Sequence, residues 1–390
     1  MSPEKLHKSP RVSPKKGLKV WIARVAALLL GTVLALFFAE LVVLFVVGEV
    51  PKFPRHVVRA PWGLRYNEPN ARYRHKSADV TVEFRINGQG MRADRDYEHA
   101  KLPGSQRMVT LGDSFAIGFE VPVEATFSSV LETTLSDAGV SIEVLNCGVS
   151  GFSNAEEFLY LERELLRYSP DLVLVSFYGN DLQDNVRTGL FELEGDRLVQ
   201  ARKGYVPAGR LGDFLNTNWF FNLLSERSNA FVFVKERLTA ILRRDMARRN
   251  RAVVDRGRTE STVQKEDVQN KAARAELRRH TRQLSAAIFE EMYQLLHSRG
   301  IPLVILSIPS HSPGSPLLDQ FPLEYFDVTR DGISFLSAQP LLSPYFDKEP
   351  LYYLRSQNHW TPLSHQLSGG ALAELILSED LLEASTASGD

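Results

Sequence analysis

A long apolar run near the N-terminus constrains this chain more than any other feature of its sequence. The run, VAALLLGTVLALFFAELVVLFVVG, covers residues 25–48, and about 20 apolar residues are enough to cross a bilayer. Lys and Arg are concentrated before it, as is typical of the cytoplasmic side of a span. The sequence therefore predicts a basic cytoplasmic tail over residues 1–24, a transmembrane helix over 25–48, and a larger extracytoplasmic part.

A cleaved signal peptide is the alternative reading of this run. The run is longer than a typical signal-peptide core and no clear A-x-A cleavage site follows it, so we favour an uncleaved single-pass anchor. Glu40 lies within the run, where a carboxylate is costly. We expect Glu40 to be protonated, to reach the interface or to pair with another protein, because one helix cannot form an ion pathway.

The composition fits a folded protein and gives no sign of nucleic-acid binding. Of the 390 residues, 44% are hydrophobic, and the formal net charge is −1, so a sizeable core is expected and no basic surface for nucleic acid. The single cysteine, Cys147, excludes an intrachain disulfide, and we interpret it as a buried small residue. No Cys/His cluster suggests a metal site, and we predict neither a metal nor a cofactor.

Residues 49–104 are predicted to form a juxtamembrane linker followed by a β-hairpin. Residues 51–77 are rich in proline, arginine and aromatic residues and lack helical periodicity. In VTVEFRINGQGMR, apolar and polar residues alternate from position 80 to position 86, which is typical of a half-buried strand. Asn87-Gly88 follows and predicts a hairpin turn at that point. We expect this hairpin to pack at an edge of the main domain.

Strand and helix patterns alternate over residues 105–385, which predicts βαβ units and a parallel sheet covered by helices. The strand patterns are MVTLG, IEVLN, DLVLVSF, IPLVILSIP and the shorter GISFLS. Residues 182–282 interrupt the alternation as a helical insertion. Its first half predicts amphipathic helices that form a lid or rest on the membrane surface. Its second half is highly charged and predicts a solvated helix, or alternatively a basic patch for anionic lipid or polysaccharide.

The segment VTLGDSFAIGFE leads from the first strand of this sheet directly into Gly112, Asp113 and Ser114. The carboxyl ends of parallel strands form the ligand crevice of open α/β sheets, so the Ser114 hydroxyl is expected to face it. We expect Asp113 to hold the turn through hydrogen bonds to the backbone. A serine nucleophile also needs a base. His359 in RSQNHWTPLSHQ is the candidate, and His311 after a later strand is its rival.

Two further segments end in the same crevice if the strands are parallel. NCGVSGFSN offers the backbone N–H of Gly151, which has no Cβ to obstruct a ligand. VLVSFYGND offers the side-chain amide of Asn180. Together with the N–H of Ser114, these groups predict an oxyanion hole with three donors, the kind of arrangement that stabilises acyl-transfer intermediates.

The segments GDS, NCGVSG, YGND and NHW, in this order, resemble the SGNH (GDSL-type) hydrolase superfamily, including its branch similar to alginate-type O-acetyltransferases. The resemblance covers roughly residues 105–182 and 283–380. It implies a three-layer α/β/α sandwich around a mostly parallel five-stranded sheet, as in flavodoxin-like folds. It also implies that Ser114 is the nucleophile, His359 the base, and Ser114, Gly151 and Asn180 the oxyanion hole.

The sequence departs from this family where the acid of the catalytic triad is expected. The family usually has an aspartate two or three residues before the histidine, and this chain has Gln357 and Ser356 there. Gln357 or a backbone carbonyl orients His359, or a distant carboxylate such as Asp347 or Glu349 substitutes, or the site is weakened. Loss of the acid lowers turnover by about 10⁴-fold in serine protease triads. A smaller departure is the glycine directly before Asn180.

Three functions follow from this pattern. The first is a membrane-anchored serine esterase that forms an acyl-enzyme on Ser114, with esters or O-acyl groups, including those of cell-envelope glycans, as substrates. The second is an O-acyltransferase in which a sugar hydroxyl replaces water. The third is a catalytically silent module that binds glycan or acts as a scaffold, for which the missing acid is the main argument.

Overall fold

The computed structural model describes residues 14–47, 57–205, 218–235, 237, 263–312, 314–356 and 358–382. The chain divides into two compact units, residues 1–50 with 227–253, and residues 51–226 with 254–390.

The first unit contains helix α1, Pro14–Val46, which begins before the predicted span of 25–48. Among the described residues, one helix is long and apolar enough to cross a membrane, and it is the 29-residue stretch Leu18–Val46 of α1. None of its most apolar window is buried inside the protein. Residues 229–235 of the same unit are also helical.

The second unit begins with two short antiparallel pairs of strands. They are β1 (Val57–Arg59) with β2 (Arg65–Asn67), and β3 (Arg72–Lys76) with β4 (Thr81–Arg85). The β3–β4 hairpin packs its apolar face against Ile117 and Phe119, which follow Ser114 in the chain. The hairpin therefore lies directly on the segment that carries the candidate nucleophile.

The prediction of a hairpin turn at Asn87-Gly88 is wrong, although the strand before it is present. The chain turns earlier, between β3 and β4, where the backbone N–H of Ser77 donates to the carbonyl of Val80 at 2.8 Å. The Asn87 side chain instead accepts hydrogen bonds from the backbone N–H groups of Gln89 (3.0 Å) and Met91 (2.9 Å). An asparagine that bonds its own following backbone in this way stabilises a loop without pairing two strands.

A five-stranded parallel sheet forms the centre of the second unit, as predicted. In chain order its strands are β5 (Gln106–Leu111), β6 (Ile142–Asn146), β7 (Leu172–Tyr178), β10 (Leu303–Ile308) and β11 (Ile333–Ser337). Their spatial order is β11-β10-β7-β5-β6, with every neighbouring pair parallel. This is the flavodoxin-like order, in which the switch point lies beside the first strand, here β5.

Helices cover both faces of the sheet and complete three layers. They are α2 (Phe127–Asp137), α3 (Asn154–Arg163), α4 (Asp181–Thr188), α6 (Val263–His297), α7 (Ala338–Leu342) and α8 (Pro362–Ser378). A further helix, α5 (Trp219–Arg227), precedes α6 in the chain. On β5, Met108 packs with the side chains of α2 and α8, whereas its neighbour Val109 packs with those of α3 and α6. Successive residues of a strand point to opposite faces of the sheet. A strand that is buried on both faces must therefore be apolar along its whole length.

The region predicted as a helical insertion also contains strands. The antiparallel hairpin of β8 (Phe191–Glu194) and β9 (Arg197–Gln200) lies within it. Helix α6 starts inside the same region at Val263 and continues beyond the region's predicted end at residue 282, as far as His297.

Candidate active site

Ser114 follows β5 on a turn that requires glycine. Gly112 has a φ of +150°, and a Cβ at this position would lie 2.0 Å from the Oγ of Ser176. The Oδ1 atom of Asp113 accepts a hydrogen bond from the backbone N–H of Phe115 at 2.9 Å. The turn therefore holds Ser114 at the carboxyl edge of the sheet, where ligand crevices form.

The His359 imidazole contacts the candidate nucleophile directly. Its Nε2 atom lies 2.8 Å from the Oγ of Ser114. The rings of Phe115 and Phe119 lie 5.2 and 5.1 Å from the imidazole, and the neighbouring Trp360 is fully buried. The imidazole is thus fixed by packing at a distance from which it can accept the hydroxyl proton.

Glu120 supplies a carboxylate to His359 in place of the aspartate that the sequence lacks just before the histidine. Its Oε2 atom lies 3.3 Å from Nδ1 of His359 and accepts a hydrogen bond from the Oγ of Ser356 at 2.9 Å. The Glu120 side chain is completely buried. A carboxylate at Nδ1 holds the imidazole in the tautomer whose Nε2 can accept a proton, and it stabilises the imidazolium that then forms.

The surroundings of Glu120 keep it ionised. Burial alone would raise the pKa of this carboxyl, but the interactions with His359, His75, Ser77 and Ser356 outweigh burial and lower the pKa below its ordinary value. Glu120 is therefore a carboxylate at neutral pH despite its lack of contact with solvent.

A second histidine, His75 on β3, faces the other oxygen of the same carboxylate. Its Nε2 atom lies 3.8 Å from Oε1 of Glu120, which is longer than a hydrogen bond but close enough for an electrostatic interaction. The His75 ring is fully buried and packs edge-on against Phe119 at 4.4 Å. Burial lowers the pKa of His75, and Glu120 opposes this effect. The β3–β4 hairpin, which precedes the parallel sheet in the chain, thus reaches into the site.

The Gly151 loop is attached to the nucleophile turn. The backbone N–H of Val149 donates to the carbonyl of Gly112 at 3.0 Å, and Gly151 adopts a φ of +75°. Arg65 donates a hydrogen bond to the Gly151 carbonyl. In the part of the chain that the structure describes, the N–H groups of Ser114 and Gly151 donate to no protein acceptor. Both are available to a developing oxyanion.

Asn180 lies beside the same turn, immediately before α4. Its Nδ2 atom is 3.2 Å from Oδ2 of Asp113 and 3.4 Å from Oδ2 of Asp184. Burial raises the pKa of Asp113, against the hydrogen bond from Phe115. Because both contacts use the amide nitrogen, Asn180 can donate to an oxyanion only by giving up one of its carboxylate partners.

The other residues that the sequence suggested as partners of His359 lie elsewhere or outside the described residues. Asp347 and Glu349 line a surface cavity together with Lys348, and among the described residues neither forms a hydrogen bond or ion pair with His359. Gln357 lies outside the described residues. The structure therefore offers Glu120, and not Asp347, as the partner of Nδ1.

The remaining histidines near the site have structural contacts. The carbonyl of His311 accepts a hydrogen bond from Asn358 at 3.1 Å, and the His311 ring stacks on Tyr352. His365 is buried, and its Nδ1 accepts a hydrogen bond from the backbone N–H of Phe127 at 3.2 Å. Burial lowers the pKa of His365 to about 3. His311 supports the loop of His359, and His365 caps the start of α2.

Cys147 is not one of the side chains that form this site. Cys147 is buried, and burial raises the pKa of its thiol. Among the described residues, no group of three or more His, Cys, Asp or Glu side chains is placed to hold a metal ion.

Among the comparisons with known proteins, no family model matches the chain. An arylesterase from Vibrio mimicus is 32% identical over 82 residues, which are 21% of this chain and 41% of that protein. This chain thus spans about two fifths of the curated relative it matches.

The solved structures to which the chain is similar match it at low identity and low TM-score. A protein assigned to the G-D-S-L lipolytic family from Desulfitobacterium hafniense is 13% identical, with a TM-score of 0.36, and the match covers 70% of this chain and 99% of that one. A lipase/acylhydrolase from Enterococcus faecalis is 13% identical, with a TM-score of 0.37, over 72% of this chain and 100% of that one.

Proposed function

We propose that this protein is a serine esterase of the SGNH type that forms an acyl-enzyme on Ser114. One observation carries the proposal: Ser114, His359 and Glu120 form a continuous series, with 2.8 Å from Oγ to Nε2 and 3.3 Å from Nδ1 to Oε2. Nucleophile, base and orienting acid are recognised by such geometry and not by their order in the chain.

The reaction follows from the role of each group. Nε2 of His359 takes the hydroxyl proton as Oγ of Ser114 bonds to the acyl carbon. The N–H groups of Ser114 and Gly151, with the amide of Asn180, stabilise the oxyanion. His359 then passes its proton to the departing alcohol oxygen as the ester C–O bond breaks. Water attacks the acyl-enzyme by the same steps in reverse, releasing the acid and restoring the hydroxyl.

The position of Glu120 favours an active enzyme over a catalytically silent module. The argument for a silent module was the absence of an acid just before His359. Glu120, which follows Ser114 in the chain, can take the place of that acid at Nδ1 of His359. The arylesterase relative also supports an ester substrate. Transfer of the acyl group to a sugar hydroxyl would use the same acyl-enzyme, so analysis of the products distinguishes a transferase from an esterase.

The proposal includes a membrane anchor. Helix α1 is long enough to span a bilayer, and the basic residues before it favour an N-terminus in the cytoplasm. The active site then lies on the extracytoplasmic side, where O-acylated envelope glycans are candidate substrates.

Hydrolysis of p-nitrophenyl acetate by the full chain in detergent tests the proposed activity. Wild-type protein and the control Ser105→Ala should hydrolyse the ester, because among the described residues the Ser105 hydroxyl bonds only the nearby Leu102 carbonyl. Ser114→Ala should lose the activity. Hydrolysis by Ser114→Ala at the wild-type rate would refute the proposal.

A further inference from the structure

The carboxylate of Glu40, within the apolar helix α1, is fully hydrogen-bonded by another segment of the same unit. Its Oε2 accepts from the Oγ of Ser228 at 2.9 Å and from the backbone N–H of Ala230 at 3.0 Å. Its Oε1 accepts from the backbone N–H of Asn229 at 2.8 Å and from the Asn229 side-chain amide at 2.7 Å. Both oxygens therefore have two donors each, all from three consecutive residues.

The position of Glu40 along α1 sets the depth of this contact. Glu40 is followed by six residues up to the end of the helix at Val46, which corresponds to about 9 Å at ~1.5 Å per residue. With the N-terminus of α1 in the cytoplasm, this is the outer part of the span. A carboxylate near the apolar part of a bilayer is costly unless donors surround it. Ser228, Asn229 and Ala230 must then lie at the same depth.

The residues that follow these donors have the character of a membrane-surface helix. Residues 229–235 are helical and include the apolar run AFVFV. Val232 is 5% exposed, whereas Val234 is 53% exposed, so the run has both a packed and an open side. The guanidinium of Arg237 lies 5.1 Å from the Phe233 ring. Apolar side chains next to basic residues are typical of helices that lie at the boundary between headgroups and acyl chains.

We propose that residues 228–235 form a second membrane-associated element, which binds the outer leaflet of the bilayer and is fixed to α1 by Glu40. The inference rests on the membrane anchor included in the proposed function. Its partner is the lipid bilayer, because the element is hydrogen-bonded to the helix that serves as the membrane anchor in the proposed function. The expectation that Glu40 pairs with another protein is replaced by pairing within the chain. A cleaved signal peptide would separate Glu40 from these donors, so the contact also favours a retained helix.

Site-directed fluorescence in lipid vesicles tests this inference on the full chain. Because Cys147 is the single cysteine and is buried, an introduced cysteine can be labelled selectively with a polarity-sensitive dye. Val234→Cys reports on the new element, and Val42→Cys, on an exposed position of α1, reports on the anchor. We expect lipids with nitroxide on the upper acyl chain to quench both dyes, and aqueous iodide to quench neither.

Variants of α1 separate the role of Glu40 from the anchor itself. Glu40→Leu removes the acceptors but keeps α1 apolar, so the dye at position 234 should lose its lipid quenching and gain quenching by iodide. Thr32→Leu is the matched control, because within the part of the chain that the structure describes the Thr32 hydroxyl bonds only the Leu28 carbonyl of its own helix.

Each contrary result has a distinct meaning. Lipid quenching at position 42 but only iodide quenching at 234 would overturn the inference and leave the anchor intact. Lipid quenching at 234 that is unchanged by Glu40→Leu would refute the role of Glu40. Iodide quenching at both positions would contradict the membrane anchor and the inference together. None of these outcomes depends on the esterase activity.

Discussion

Glu120 Oε2 and Nδ1 of His359 lie 3.3 Å apart, although 239 positions separate the two residues in the chain. The carboxylate approaches the imidazole nitrogen that does not face Ser114, so it can orient the ring without competing for the nucleophile. In this chain the acid follows the nucleophile by a few residues, whereas the SGNH pattern leads one to search just before the histidine.

Removal of the Glu120 carboxylate should therefore abolish most of the activity. We expect Glu120→Gln to lower kcat by about 10³–10⁴-fold with little change in KM, because the acid acts on the base and not on the bound substrate. Asp347→Asn and Glu349→Gln serve as controls and should retain the wild-type kcat. Steady-state hydrolysis of a p-nitrophenyl ester measures all three. A normal kcat in Glu120→Gln, or a large loss in Asp347→Asn, would contradict the assignment.

His75 should act as a positioning residue through Glu120. Replacement by Phe keeps a buried aromatic ring against Phe119 but removes the electrostatic contact at 3.8 Å. We expect a loss in kcat of about tenfold, equivalent to ~1.4 kcal/mol, with KM unchanged. The same substitution in the Glu120→Gln background should have a much smaller effect, because residues that act through one another are not additive. Equal losses in both backgrounds would show that His75 acts independently of Glu120.

The amide of Asn180 should contribute to the oxyanion hole. Asn180→Ala is expected to lower kcat by about 10²-fold, the lower end of the cost of one oxyanion donor, because Asn180 must first leave a carboxylate partner. The control Asn222→Ala, on α5, should be neutral. An Asn180→Ala enzyme with normal kcat would limit the oxyanion donors to the backbone of Ser114 and Gly151.

The sequence predicted that Ser114 and His359 lie together because the topology of the sheet fixes the positions of both residues. Ser114 follows an apolar strand, and His359 precedes a helix with a clear Thr361-Pro362 start. Parallel strands bring their carboxyl ends to one edge, so the order of the motifs along the chain was sufficient. The five strands of the sheet could also be predicted, since each is a short apolar run between glycine, proline or charged residues.

The orientation of Glu120 and the location of the hairpin turn depend on interactions that a local sequence pattern does not show. Glu120 belongs to the quoted segment VTLGDSFAIGFE, but its orientation depends on the turn at Gly118, which has a φ of +69°, and on the packing of β3 above it. An ionisable residue within so apolar a segment was the available signal. At Asn87-Gly88 the turn pattern was real, but the side chain of Asn87 bonds its own loop.

His365 should make the stability of the protein depend on pH. Burial lowers its pKa to about 3 in the folded state, from an ordinary value of 6.5. Below pH 6.5 the unfolded chain therefore binds a proton that the folded chain does not, and the free energy of unfolding falls as the pH decreases toward 3, by up to ~1.4 kcal/mol per pH unit.

Urea unfolding between pH 7 and pH 4 measures this dependence. His365→Gln, whose side-chain oxygen can still accept from the Phe127 N–H, should show a shallower decline than wild type. His99→Gln, at an exposed position, is the control and should follow the wild-type curve. Parallel curves for wild type and His365→Gln would contradict the prediction.

Covalent labelling by a fluorophosphonate, followed by peptide mapping, tests the central claim most directly, because the reagent reacts with a serine hydroxyl only when a base activates it. The account predicts one adduct on Ser114 in the wild-type protein, no adduct in Ser114→Ala, and much slower labelling in His359→Ala and Glu120→Gln. Folded wild-type protein that remains unlabelled, or an adduct that persists in Ser114→Ala, would contradict it.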